Sequence, residues 1–156
     1  MKYVKYGLAI IFVLVSYGIN ADTRITEGDV LKMINEMEQA VISQDADKLM
    51  SNFSKDAKIT LDMPTNMGGK MEVGVNKFKL MLKQSWAMPA KFTYEVKNIQ
   101  ISVDPDGLHA TASDITIETI EINGKIVASS RTEERIEIIS KEGKPIITSL
   151  YGKLAM

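Results

Sequence analysis

The chain has no cysteine and only one histidine, His109. The first absence excludes disulfides, thiolate metal sites, a thiol nucleophile and a lipid-modified cysteine. The second excludes a three-histidine metal site and a two-histidine facial triad. Neither sign of charge dominates: 19 Lys and Arg stand against 20 Asp and Glu, for a net charge of −1. No basic field is therefore available to hold nucleic acid. Long apolar runs are also missing. Gly7 to Val15 (GLAIIFVLV) falls far short of the ~20 residues a membrane-spanning helix needs. What remains is ordinary globular composition, 45% hydrophobic and 25% charged over 156 residues. That is enough for one domain with a real core.

Residues 1–21 have the three parts of a secretory signal: Lys2 and Lys5, the apolar run, and a polar end closing Ile19-Asn20-Ala21. We expect cleavage after Ala21, leaving a single domain of residues 22–156. Loss of the two lysines takes the net charge from −1 to −3. The expected location is exported, periplasmic or secreted, with no membrane association after cleavage.

Thr26-Glu27-Gly28-Asp29 is a helix cap, and Val30, Ile34, Met37 and Val41 recur at helical spacing behind it. Asp45 caps a shorter second helix carrying Leu49, Met50 and Phe53. Lys58 to Met63 alternates like a strand, Lys70 to Val73 reads as a short one, and Val75 to Trp86 returns to helical spacing until Pro89. From Ala90 the period is two. A shift at Asn98 predicts a bulge, Asp104 to Gly107 a turn, and Asn123-Gly124 a two-residue hairpin turn. A last long hairpin runs from Ile126 to Gly152. Helices collect early and strands late, which predicts α+β: a curved antiparallel sheet covered by three N-terminal helices, in a cone with an open mouth.

The run Ala46-Asp47-Lys48-Leu49-Met50-Ser51-Asn52-Phe53-Ser54-Lys55-Asp56-Ala57 resembles the nuclear transport factor 2-like superfamily, where a second helix leads into F-x-x-D-A. Gly74-Val75-x-x-Phe78 and the closing Gly-Lys-x-x-Ile-x-x-Leu-Tyr-Gly are similar to it as well. The group includes ketosteroid isomerases, SnoaL-like cyclases and scytalone dehydratase. In its isomerases the resemblance implies a carboxylate base at the end of the first strand and hydrogen-bond donors deep in the cone. Asp62 stands near the base position, although an ungapped alignment places Leu61 there. Met37 stands where the isomerases carry a first-helix tyrosine, and Glu134 where they carry a buried acid.

Glu134 shares a strand face with Thr132 and Ile136, opposite the surface row Arg131, Glu133, Arg135 and Glu137. Met33, Met37 and Met63 belong to a methionine set suited to lining an adaptable cavity. Trp86 and Tyr94 flank the helix-to-strand junction, where aromatics rim a mouth. The expected ligand-binding residues are thus Met33, Met37, Met63, Trp86, Tyr94, Thr132 and Ile136, with Asp62 and Glu134 as candidate catalytic carboxylates. No metal or cofactor is expected. The expected function is binding of a small apolar molecule without catalysis, in a homodimer. The alternatives are an isomerase, dehydratase or cyclase using a pocket carboxylate, and a protein-interaction module of the cell envelope.

Overall fold

The computed structural model describes residues 23–155; the expected signal, residues 1–21, lies outside them. Helix α1 (Glu27–Ile42) starts at a complete capping box. The Asp29 N–H donates to Thr26 Oγ1 at 3.2 Å, and the Thr26 N–H donates to Asp29 Oδ2 at 2.9 Å. After a tight turn, Asp45 caps α2 (Ala46–Met50) by accepting from the Lys48 N–H. Here the expectation for Phe53 is corrected. Ser51 and Asn52 turn their side chains back onto the Lys48 and Leu49 carbonyls and close the helix. Phe53 instead opens strand β1 (Phe53–Asp62), which is five residues longer at its start than the alternation from Lys58 suggests.

A 3₁₀ turn at Thr65–Met67 leads to β2 (Lys70–Gly74), then α3 (Val75–Trp86). The long strands follow: β3 (Lys91–Val103), β4 (His109–Ile122), β5 (Lys125–Lys141) and β6 (Lys144–Ala155). They form one curved, open six-stranded sheet in the order β2-β1-β6-β5-β4-β3. Four of its pairings are antiparallel, as expected. The fifth, β1 against β6, is parallel, and the chain between the two strands supplies the long crossover that a parallel pair needs.

The predicted bulge is present. Register shifts between Lys97 and Gln100, and Asn98 takes φ +54°. A second bulge lies just beyond the Asn123-Gly124 turn, whose two residues have φ +50° and +76°. β3 is an edge strand, and α1 covers it. Glu38 of α1 accepts from the Val96 N–H at 3.1 Å, giving that edge donor a partner.

The core fills the closed end of the cone. Ile59, Ile136, Ile138, Ile147 and Val30 have under 2% or at most 2% of their surface exposed. Met33, Ile34, Ala110 and Ala112 pack around them. Burial of each large side chain contributes roughly 1.5–3 kcal/mol. Ile59→Ala is expected to cost about 2–5 kcal/mol in urea unfolding. Ile126→Ala, at the exposed hairpin tip, is expected to stay within about 0.5 kcal/mol. Equal losses at the two sites would contradict the core as placed here.

Candidate functional site

The elements that build the core continue past it and leave a hollow. On α1, the stripe that buries Val30, Met33 and Ile34 goes on to Met37 and Val41, which line a cavity of about 240 Å³. Leu49 and Phe53 close one side, and Phe78, Leu82 and Trp86 of α3 another. The sheet supplies the floor.

Side chains directly across neighbouring strands share a face, so the pairings give the floor row by row. Ala112, Ile136 and Leu150 form one row. Asp114, Glu134, Gly152 and Leu61 form the next. Thr116 and Thr132 come after it, then Glu118 with Tyr94 on one side and Ser130 on the other. Along β4 and β5 the apolar core thus gives way to acids within one step, while β6 and β1 place Gly152 and Leu61 beside them. Gly152 lines the cavity beside Glu134 and adds no side chain of its own.

Of the residues singled out from sequence, Met37, Trp86, Tyr94, Thr132 and Glu134 line this cavity. Met33 and Ile136 do not. They lie one step toward the closed end, 3% and 1% exposed, as core. Met63 lies beyond the end of β1, with its methyl carbon beside Gly68. Asp62 is on the opposite face of β1 from the cavity. Its Oδ2 accepts from the Tyr151 hydroxyl at 2.6 Å, while Leu61 takes the inward position. The reason is the two-residue period of a strand: neighbours point to opposite faces.

Sequence reasoning missed Asp114, Thr116 and Glu118. Ile115 and Ile117 alternate between them and mimic an inward apolar row. The usable signal was the Asn123-Gly124 turn, which sets the β4–β5 register. By itself, however, that turn places Asp114 across from Glu133. The bulge after Ile120 shifts the pairing by one and brings Glu134 there instead.

Asp114 and Glu134 are therefore side by side on an inner face that no water bathes freely. Asp114 is 6% exposed, and its Oδ1 has no hydrogen-bond partner. Glu134 keeps partial exposure because it opens onto the cavity, yet protein surrounds it densely. Burial, with the charge of Asp114 second, pushes the Glu134 carboxyl up to about 8, and the neighbouring Thr116 hydroxyl acts the other way. Burial pushes Asp114 up to about 6. It also raises Glu118. The Tyr94 hydroxyl is raised by burial first, then by the charges of Glu134 and Asp114. Near neutral pH the Glu134 carboxyl keeps its proton and Asp114 is largely ionised, so one can donate a hydrogen bond and the other accept one.

This arrangement sets a direction for stability with pH. Both folded-state values lie above the ordinary ones, so the native chain keeps protons that the unfolded chain has released. Stability is expected to fall as pH rises from about 4 to about 8 and to level off above that. Glu134→Gln keeps the shape and removes the larger share of the penalty. Its unfolding free energy at about pH 8 should rise by roughly 1–3 kcal/mol over the unchanged chain, with a flatter profile below. A parallel profile in denaturant titrations would contradict the buried pair.

No protein-family model matches the chain, and no curated protein matches it in sequence. Solved structures do match it in shape. A protein from Novosphingobium aromaticivorans described as NTF2-like with a cystatin-like fold superposes with TM-score 0.66 at 14% identity, over 81% of this chain and 80% of its own. The CamKII hub homology domain of Chlamydomonas reinhardtii gives 0.63 at 18%, over 83% and 98%. The beta subunit of benzoate 1,2-dioxygenase from Burkholderia mallei gives 0.63 at 15%, over 84% and 91%. These neighbours differ in function and agree in architecture: the chain has the nuclear transport factor 2-like α+β cone fold.

Proposed function

We propose that the cone binds one small, largely apolar molecule whose polar group meets the Asp114–Glu134 pair. The observation that carries this reading is the hollow itself. Its walls are aliphatic and aromatic, and a few polar groups converge on one side. At about 240 Å³ it exceeds the ~150 Å³ cavity that admits benzene, which suits a one-ring or compact two-ring guest. In thermal melts of the chain 22–156, members of a panel of such compounds should raise Tm in a concentration-dependent way. Val41→Phe, which fills the hollow from α1, should keep the fold and abolish those shifts. No shift from any compound would end this reading.

The enzyme alternative keeps one supporting observation, two adjacent carboxyls raised by burial to different extents. A protonated carboxyl beside an ionised one is suited to moving a proton on a bound guest, as an isomerase, dehydratase or cyclase requires. The residues for that role are Glu134 and Asp114. Asp62 faces the other side of the sheet.

We also read the chain as exported and paired with a second copy. Export rests on Lys2, Lys5 and the apolar run that follows. Pairing fits the outer sheet face, where half-buried Ile115 and Ile117 stand among charged neighbours. Recovered from an exported fraction, the chain is expected to begin at Asp22. A recovered chain that still begins at Met1 would rule out cleavage.

A further inference from the structure

The inner face of the cone carries negative charge with nothing of opposite sign to meet it. Glu134 and Glu118 line the cavity, and Asp114 lies directly across from Glu134. Among the described residues, no Lys, Arg or His lines it. The two lysines of α3 that stand near this region are turned away. Lys79 and Lys83 both pair with Asp47 on the outside, Lys83 at 2.9 Å. From α1 the ionisable neighbour is Glu38, already engaged with the Val96 N–H. β3 contributes Tyr94, while β1 and β6 contribute only the uncharged Phe53, Leu61, Leu150 and Gly152.

Buried carboxylates are ordinarily paired with a cation. Asp114 is not only unpaired but has an oxygen with no hydrogen-bond partner at 6% exposure. The same cavity is walled by Trp86, Tyr94, Phe53 and Phe78, whose ring faces attract cations. Among the described residues, the three potential ligands gathered closely enough to share one metal ion are Asp104, Asp106 and His109, exposed on the β3–β4 turn and away from the cavity. Oxygens spread along the sheet, with aromatic side chains from β1, β3 and α3 around the same cavity, suit an organic ammonium with several N–H donors and an apolar body.

From this we infer that the ligand class of the cavity is a small amine, bound as its ammonium ion with the nitrogen toward Glu134 and the apolar part among the aromatic side chains. The inference rests on the cavity-binding reading above and names the chemistry of its guest. In the empty cone the Glu134 carboxyl keeps a proton near neutral pH beside Asp114. An ammonium takes that proton's place, so binding releases it to solvent. Two consequences follow: amine affinity rises with pH while the amine stays charged, and the heat of binding depends on the buffer that takes up the proton.

Three matched probes test this by titration calorimetry on the chain 22–156: benzylamine, benzyl alcohol and benzoate. Benzylamine should bind about tenfold or more tightly than benzyl alcohol near pH 8. Its affinity should fall toward about pH 6, and benzoate should give no binding. Glu134→Gln should remove the preference for the amine and leave benzyl alcohol binding in place. Should that variant fail to fold, Glu118→Gln supplies the second arm, with a smaller loss of the same preference. Benzyl alcohol binding as well as or better than benzylamine overturns the inference and leaves the cavity reading standing. An amine preference untouched by both substitutions also overturns it. Absence of binding by all three probes defeats the inference and the cavity reading together.

Discussion

The site depends on one enforced proximity: the β4–β5 register sets Asp114 and Glu134 across from each other on a face turned away from water. Two carboxyls in that position cannot both ionise without repulsion and desolvation, so the pair keeps a proton near neutral pH. Every other feature of the cavity is arranged about them. Gly152 adds no side chain beside Glu134, Thr116 offers a hydroxyl, and α3 closes the space above with Phe78, Leu82 and Trp86.

Such a pair is a destabilising element, and the fold tolerates it because the layer beneath is continuous. Ala112, Ile136, Leu150 and Ile59 lie one step below the acids, and Ala110, Ile138 and Ile147 below them. The closed end is packed solid, so the open end can stay hollow without loss of the folded state. A similar division appears on α1, which packs Val30, Met33 and Ile34 into the core and brings Met37 and Val41 to the cavity. Packing and function thus occupy successive stretches of the same elements, with no boundary in the chain between them.

The shape comparison fits this division. A dioxygenase subunit, a kinase hub domain and an NTF2-like protein share the architecture at 14% to 18% identity. What they share is the curved sheet and its covering helices; the chemistry of the inner face is free to vary. In this chain that face is acidic and aromatic, with the nearest lysines of α3 bound to Asp47 outside.

The amino-acid sequence by itself determined the elements: the capped first helix, the third helix to its ends, the bulge at Asn98, the hairpin turn at Asn123-Gly124 and the inward face of Glu134. Each is a local property, set by the period of apolar residues and by the backbone conformations that Asn and Gly accept. Tertiary structure decided the rest, because the rest depends on pairings. The parallel seam of β1 with β6 joins residues about ninety positions apart. The one-residue bulge after Ile120 determines whether Asp114 meets Glu133 or Glu134. A single step along β1 put Leu61 in the cavity and Asp62 on the outer face with Tyr151. In a strand, one residue of register exchanges the two faces, and no local pattern records which neighbour a strand will find.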